Sequence, residues 1–98
     1  MQSELSCNGK TIELNDFVSS LFARLVFSLT ANLQGVAPDA SRIEVVRTPA
    51  DLQITCDGDD IEWFMGYPRT AIQAIVDAAV QTLRGCEDAE TYTLGVRR

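Results

Sequence analysis

The chain has 98 residues, 46% of them hydrophobic, and carries a formal net charge of −6 with no histidine. This length predicts one domain over residues 1–98 with a modest hydrophobic core. An acidic surface repels phosphate backbones, so we expect no nucleic-acid partner, and the missing histidine removes the commonest general base and metal ligand.

The first predicted element is a β-hairpin over residues 3–14, which read SELSCNGKTIEL. Asn8-Gly9 is a strong hairpin signal, because a type I′ turn needs two residues that tolerate positive φ. With that turn Leu5 faces Ile12, and the hydrophobic residues of both strands share one face. The residues on that face are Leu5, Cys7, Ile12 and Leu14.

Residues 15–36 predict a long helix with few charges. Asn15 is a preferred N-cap and Gly35 a suitable C-terminal stop, so the helix is expected from about 16 to 34. The stretch also has the length of a membrane span. However, Arg24 would lie near the bilayer centre at a cost of about 2.5–3.5 kcal/mol. We therefore expect no membrane segment.

The apolar residues of this helix cover about half of its circumference, a wider stripe than packing on one sheet requires. Its polar residues are mostly Ser, Thr, Asn and Gln, which suit a surface that another chain partly covers. Phe27 falls outside the stripe, near Ala23 and Ala31. The stripe contains Phe17, Val18, Leu21, Phe22, Leu25, Val26, Leu29 and Leu33.

Three further strands are predicted in the middle of the chain. Residues 42–48 alternate as one strand, and residues 52–65 form a second hairpin. The hairpin turns either through Asp57-Gly58 alone or through a four-residue loop that ends at Asp60. The first alternative pairs Ile54 with Ile61, and the second pairs Cys56 with Ile61. Both place Leu52, Ile54, Cys56, Ile61 and Trp63 on one face.

A second helix is predicted from Pro68, a residue suited to the first helical position, to Arg84, with Gly85 as its stop. Its hydrophobic stripe is narrower than that of the first helix. The stripe contains Ile72, Ile75, Val76, Ala79, Val80 and Leu83.

The tail after this helix permits two interpretations. Residues 91–96 form a strand with Tyr92, Leu94 and Val96 on one side, or they are a mobile end. Arg97 and Arg98 are expected to be an ordinary solvated terminus rather than a basic docking tail. The element order is therefore β-β-α-β-β-β-α, with a final β under the first interpretation. It predicts an α+β fold in which two helices pack on one face of an antiparallel sheet.

The three cysteines, Cys7, Cys56 and Cys86, are odd in number and form no C-x-x-C pair. This usage favours a reducing cytosol over secretion. Cys7 and Cys56 lie on inward strand faces and are expected to behave as small hydrophobes. Cys86 follows a helix C-terminus, where the partial negative charge disfavours a reactive thiolate.

The densest acidic cluster is Asp57, Asp59, Asp60 and Glu62. Oxygen ligands of this kind could form a weak divalent-cation site. Asp and Gly are also the ordinary residues of a solvated hairpin turn, and we favour the turn. We expect no metal and no cofactor.

Trp63, Phe64, Met65 and Tyr67 crowd five positions. On a strand, Phe64 points away from Trp63 and Met65, so it does not fit a single-sided core. Two interpretations stay open. Either Phe64 belongs to a contact patch for a partner or small ligand, or local curvature tucks it beneath the start of the second helix.

One resemblance concerns the opening of the chain. NGKTIELNDFV, residues 8–18, followed by a charge-poor helix that ends in GV, resembles a small prokaryotic α/β family with an NGK-x-I-x-LN-x-FV opening. The resemblance covers about the first 36 residues. That family is uncharacterised, so the resemblance implies a hairpin followed by a helix and implies no activity.

These observations predict a cytoplasmic homodimer, because a second copy is the commonest cover for an apolar helix flank. The expected interface includes Phe27, Ala23 and Ala31, with Phe64 as a further contact. We expect a non-catalytic interaction or adaptor module with an acidic surface, because the sequence lacks catalytic motifs. A protein partner other than a second copy also fits such a module.

Two alternative functions remain. One is a small-ligand binding domain with a pocket between helix and sheet near Trp63 and Tyr67. The other is an enzyme that uses carboxylates or a metal, supported only by the cluster from Asp57 to Glu62.

Overall fold

The computed structural model of the chain describes residues 1–31, 33, 36, 39–61 and 66–98, and only the backbone of residues 66 and 67. Two helices pack on one face of an antiparallel sheet, so the predicted α+β class is confirmed. The six strands lie in the order β2-β1-β6-β3-β4-β5. The elements are β1 Gln2–Cys7, β2 Lys10–Ile12, α1 Asp16–Thr30, β3 Arg42–Arg47, β4 Leu52–Cys56, β5 Asp59–Asp60, α2 Gly66–Gln81 and β6 Tyr92–Arg97.

Both predicted hairpins turn through two residues in the left-handed region. The pairs are Asn8-Gly9 and Asp57-Gly58, with φ between 51° and 91°. In the second hairpin the N–H of Ile61 donates to the carbonyl of Ile54 at 3.0 Å. The two-residue turn is therefore correct, and the four-residue alternative is wrong.

The last strand lies in the middle of the sheet. β6 pairs with β1 on one side and with β3 on the other, antiparallel to both. Tyr92, Leu94 and Val96 are each only 1% exposed. The interpretation of this segment as a mobile end is therefore wrong. The alternation of apolar and polar residues predicts a strand here. It does not predict that the neighbouring strands are β1 and β3, which lie more than 40 residues away in the sequence.

The start of α1 is fixed to β1 by side-chain hydrogen bonds. The short β2 pairs only with Leu5–Cys7, so it does not extend along the first residues of β1. Ser19 meets the backbone of Ser3 there: its Oγ accepts from the Ser3 N–H at 2.7 Å and donates to the Ser3 carbonyl at 3.3 Å. The Ser3 Oγ donates to the Ser19 carbonyl at 2.6 Å. α1 therefore lies close to the sheet at this point.

α1 buries a different face from the predicted one. The centre of its buried face is rotated by roughly 100°, or one residue position, from the centre of the predicted stripe. Ala23 is 0% exposed and Ser19 is half-buried, and such small side chains allow the close approach to the sheet. Phe27 is 7% exposed, so its expected position on an uncovered flank is wrong. The buried residues of α1 are Phe22, Ala23, Val26, Phe27 and Thr30.

The helix ends differ from the predictions by a few residues. The predicted N-cap is confirmed, because Asn15 Oδ1 accepts from the Val18 N–H at 2.8 Å. α1 ends at Thr30, whose Oγ1 donates to the Val26 carbonyl at 2.7 Å, and the predicted stop at Gly35 lies outside the described residues. α2 begins before its predicted start and ends at Gln81, three residues early. No helix in the described ranges is long and apolar enough to cross a membrane.

Two of the three cysteines are bonded. Cys7, at the end of β1, forms a disulfide with Cys86, in the connection between α2 and β6, with their Cα atoms 5.9 Å apart. Cys56 is free and buried. The expectation of three unpaired thiols is therefore wrong. The connection folds back beside β1, where the Asn8 N–H donates to the Thr91 carbonyl at 2.8 Å.

Candidate functional site

Three ionisable side chains converge at one end of the sheet, under α2. The Tyr92 hydroxyl of β6 donates to Asp77 Oδ1 of α2 at 2.6 Å. Arg47 of β3 donates from Nε to both carboxylate oxygens of Asp77 at 3.3 Å. We call Arg47, Asp77 and Tyr92 the polar cluster. It connects α2 to two strands of the sheet.

The environment of the polar cluster keeps the Tyr92 hydroxyl protonated. Burial, and then the hydrogen bond to Asp77, raise the pKa of Tyr92 well above its usual value. The Tyr92 hydroxyl therefore remains a donor and is not a base. Arg47 also donates to the carbonyls of Thr48 and Asp51. Each member of the polar cluster thus has protein partners.

A cavity of about 270 Å³ opens beside the polar cluster. Its lining residues are Arg47, Pro49, Asp77, Gln81, Ala89 and Glu90. Arg47 and Asp77 form an ion pair in the lining of the cavity, with Nε and Oδ1 3.3 Å apart. Their opposite charges therefore already compensate each other. None of the three residues of the polar cluster is among the predicted site residues. A signal existed for Arg47, because it continues the inward alternation of Ile43 and Val45.

The sheet face opposite the helices is polar and shallow. Two depressions of about 140 and 310 Å³ meet at Gly95, Glu4 and Arg42. Arg42 pairs with Glu44 at 3.4 Å, and Arg97 pairs with Glu4 at 3.7 Å. Such exposed pairs contribute little stability. A solvated polar face of this kind is ordinary for an antiparallel sheet with helices on its other side.

The described aspartates of the predicted acidic cluster include two that accept hydrogen bonds around the second hairpin. Asp57 Oδ1 accepts from the backbone N–H of Arg42 at 2.8 Å and of Ser41 at 3.1 Å. Asp60 accepts from the Gln53 amide at 3.1 Å. Among the described residues no group of three His, Cys, Asp or Glu side chains converges as metal ligands would. Glu62 lies outside that set.

The predicted interface residues are not brought together on the surface. Ala23 and Phe27 lie in the core of their own chain, and Ala31 is exposed. The guanidinium of Arg98 covers the Phe27 ring at 4.5 Å from its centroid, and Arg98 Nε donates to the Ala40 carbonyl at 2.7 Å. The expectation of a merely solvated terminus is therefore wrong for Arg98.

The predicted aromatic sites fall where the structure gives no side chains. Trp63, Phe64 and Met65 lie outside the described residues, and of Tyr67 only the backbone is described. The contact patch at Phe64 and the ligand pocket near Trp63 and Tyr67 therefore stay predictions.

Large hydrophobic side chains are exposed on the outer side of the helices. Phe17 is 75% exposed and Leu21, one turn later on α1, is 48% exposed. Ile75 of α2 is 43% exposed, and its neighbours Ala74 and Ala78 are exposed as well. We call these five residues the outer helix surface. None of them is charged.

Comparisons with known proteins return no match for this chain: no protein-family model, no curated protein and no solved structure matches it significantly. The resemblance of its opening residues to an uncharacterised prokaryotic family thus stays a prediction.

Proposed function

We propose that this chain is a non-catalytic interaction module that acts as a homodimer through its outer helix surface. The observation that carries the proposal is the exposure of Phe17 and Leu21, 75% and 48%, one turn apart on the same helix. Water-exposed apolar side chains of this size mark contact surfaces when they occur together. They replace Phe27 and Ala23 as the expected contacts.

Charge permits a second copy as the partner on this surface. Each chain carries −6, so two copies repel each other wherever their acidic surfaces meet. The five residues of the outer helix surface are uncharged, and α1 carries only Asp16 and Arg24, which are opposite in sign. Two copies can therefore meet there with little repulsion.

The sheet edges offer a poorer contact. Edge strands associate when they are long and apolar, and charged or very short edges prevent it. β2 has three residues, and β5 consists of Asp59 and Asp60 alone. Over the residues that the structure describes, neither edge suits pairing with another copy, so the proposed contact is on a face of the molecule.

The polar cluster supports the non-catalytic part of the proposal. A general base needs a free acceptor near substrate, whereas the Asp77 carboxylate already accepts from Arg47 and Tyr92. The small-ligand alternative depends on Trp63 and Tyr67, and no described contact favours it.

The proposed compartment needs revision. The cytoplasmic expectation depended on the odd cysteine count and the lack of a C-x-x-C pair, and the bond between Cys7 and Cys86 weakens that support. The proposed homodimer does not depend on the compartment.

The expected dimer is weak. Burying one Phe or Leu completely contributes about 1.5–3 kcal/mol. Four such side chains, Phe17 and Leu21 from each copy, therefore contribute roughly 6–12 kcal/mol, comparable with the cost of association of about 4–15 kcal/mol. At the favourable end, roughly 12 kcal/mol gained against about 4 kcal/mol lost, the net of about 8 kcal/mol corresponds to a dissociation constant in the micromolar range.

Sedimentation equilibrium tests the proposal over protein concentrations from roughly 10 to 500 µM, which bracket that affinity. We expect the mass of the wild type to approach twice 10.8 kDa. The Phe17→Asp/Leu21→Asp variant should stay at the monomer mass, because four added carboxylates would meet across the contact. Thr11→Asp, on the exposed strand β2, adds the same kind of charge elsewhere and should remain dimeric. A monomeric wild type would refute the homodimer, and three dimeric proteins would refute the surface.

A further inference from the structure

The disulfide closes nearly the whole chain into one loop. Cys7 and Cys86 are 79 positions apart. Cys7 pairs with Tyr92 across β1 and β6, so the bond lies beside the first residue of the central strand. A cross-link over so long a segment removes a large part of the conformational freedom of the unfolded chain.

The third cysteine cannot compete for this pairing in the folded chain. Cys56 of β4 pairs with Ile43 of β3. Cys7 of β1 lies three strands away, at the other end of the sheet. The spacings of residues and strands place these two sulfurs roughly 20 Å apart. The fold therefore brings one pair together and keeps the odd cysteine separate.

Both bonded residues are inaccessible to solvent. Cys7 is 2% exposed and Cys86 is 0% exposed. The Cys86 N–H donates to the Leu83 carbonyl at 3.0 Å, and its own carbonyl accepts from the Ala89 N–H at 3.1 Å. A thiol can reach the sulfurs only when this connection opens, so exchange is coupled to unfolding.

We propose that the bond between Cys7 and Cys86 makes the stability of the fold conditional on the redox state of its surroundings. The fold is stable where disulfides persist and loses much of its stability where they are reduced. The chain therefore belongs to an oxidising compartment.

The reducing step balances with a dithiol as the co-reactant. One thiolate of the dithiol attacks one sulfur of the bond and forms a mixed disulfide, which releases the other cysteine as a thiol. The second thiol of the reagent then closes its own disulfide and releases the remaining cysteine. Two electrons and two protons pass from the dithiol to Cys7 and Cys86.

Counting thiols is the first part of the test. The chain is purified in air without reductant, denatured and alkylated, and its mass is measured. We expect one alkylated residue, Cys56. Three alkylated residues would overturn the proposal, because the bond would then be absent from the protein as it exists.

Thermal unfolding with and without dithiothreitol is the second part. Loss of the cross-link should lower the midpoint by at least about 8 °C. Cys56→Ser keeps the bond and should show the same shift, and Cys7→Ser/Cys86→Ser should unfold at the lower midpoint in both conditions. A wild-type midpoint unchanged by complete reduction would overturn the proposal. If the double variant does not fold, the reductant series on Cys56→Ser decides alone.

Discussion

The two ends of α1 carry the same side chain in opposite environments. Phe27, near the end of the helix, is 7% exposed, and Phe17, at its start, is 75% exposed. Phe27 is covered by Arg98, which follows the central strand. Phe17 lies two residues before Ser19, which hydrogen-bonds to Ser3 at the edge of β1. Beyond this edge the sheet has only the three-residue strand β2, which pairs with Leu5–Cys7.

This difference shows that residue type and helical periodicity do not by themselves decide burial. The apolar stripe of α1 predicts Phe17 inside and Phe27 outside, whereas the fold reverses them. Burial depends on the extent of the sheet below each turn and on the segments that return over it. For α1 those segments are distant in sequence.

The largest expected effect separates the two phenylalanines directly. Phe27→Ala removes a ring from the core and should lower the free energy of unfolding by about 3–5 kcal/mol. Phe17→Ala removes an exposed ring and should change it by less than about 0.5 kcal/mol. Urea unfolding, monitored at a protein concentration low enough to keep every variant monomeric, measures both. Equal losses for the two variants would contradict the burial difference between the ends of α1.

A smaller effect extends the comparison to α2, which is attached to the sheet through the polar cluster. Tyr92→Phe removes the hydroxyl that donates a hydrogen bond to Asp77 Oδ1 at 2.6 Å. It should cost about 1.5–3 kcal/mol at pH 8, the usual range for a hydrogen bond to a charged group. Urea midpoints of wild type and variant at that pH provide the measurement.

The same variant has a pH signature. Burial and Asp77 raise the pKa of Tyr92 in the folded state, whereas an unfolded tyrosine ionises near pH 10. Above that pH the unfolded chain binds fewer protons than the folded chain. The free energy of unfolding of the wild type should therefore fall by up to about 1.4 kcal/mol per pH unit through Tyr92. Tyr92→Phe should lack this part of the decline between pH 10 and 11. Parallel declines would show that Tyr92 is not held protonated by the fold.

The smallest expected effect concerns the cover on Phe27. Arg98→Ala removes a guanidinium from above the ring and should cost about 0.5–1 kcal/mol. Arg24→Ala, an exposed arginine on α1, is the matched control and should cost less. Chemical denaturation at moderate salt compares the two variants. A cost for Arg98→Ala no greater than for Arg24→Ala would mean that the sheet alone shields Phe27.

The sequence by itself determined the features that depend on a few consecutive residues. Asn8-Gly9 and Asp57-Gly58 supply the positive φ that two-residue turns require, and Asn15 supplies the cap of α1. Alternation predicts the inward residues of the strands, because side chains on a strand repeat every two positions. These signals correctly give the types and order of the first seven elements and the register of the first hairpin. They leave two alternatives each for the register of the second hairpin and for the last strand, which the structure decides.

Only the tertiary structure decided which distant segments meet. β6 lies between β1 and β3, Cys86 reaches Cys7, and Asp77 reaches Arg47 and Tyr92. The physical reason is that periodicity records which side of an element is apolar, whereas strand order, the rotation of α1 and the pairing of cysteines depend on contacts between elements. Those contacts form between residues far apart in sequence, where no local pattern selects one partner over another.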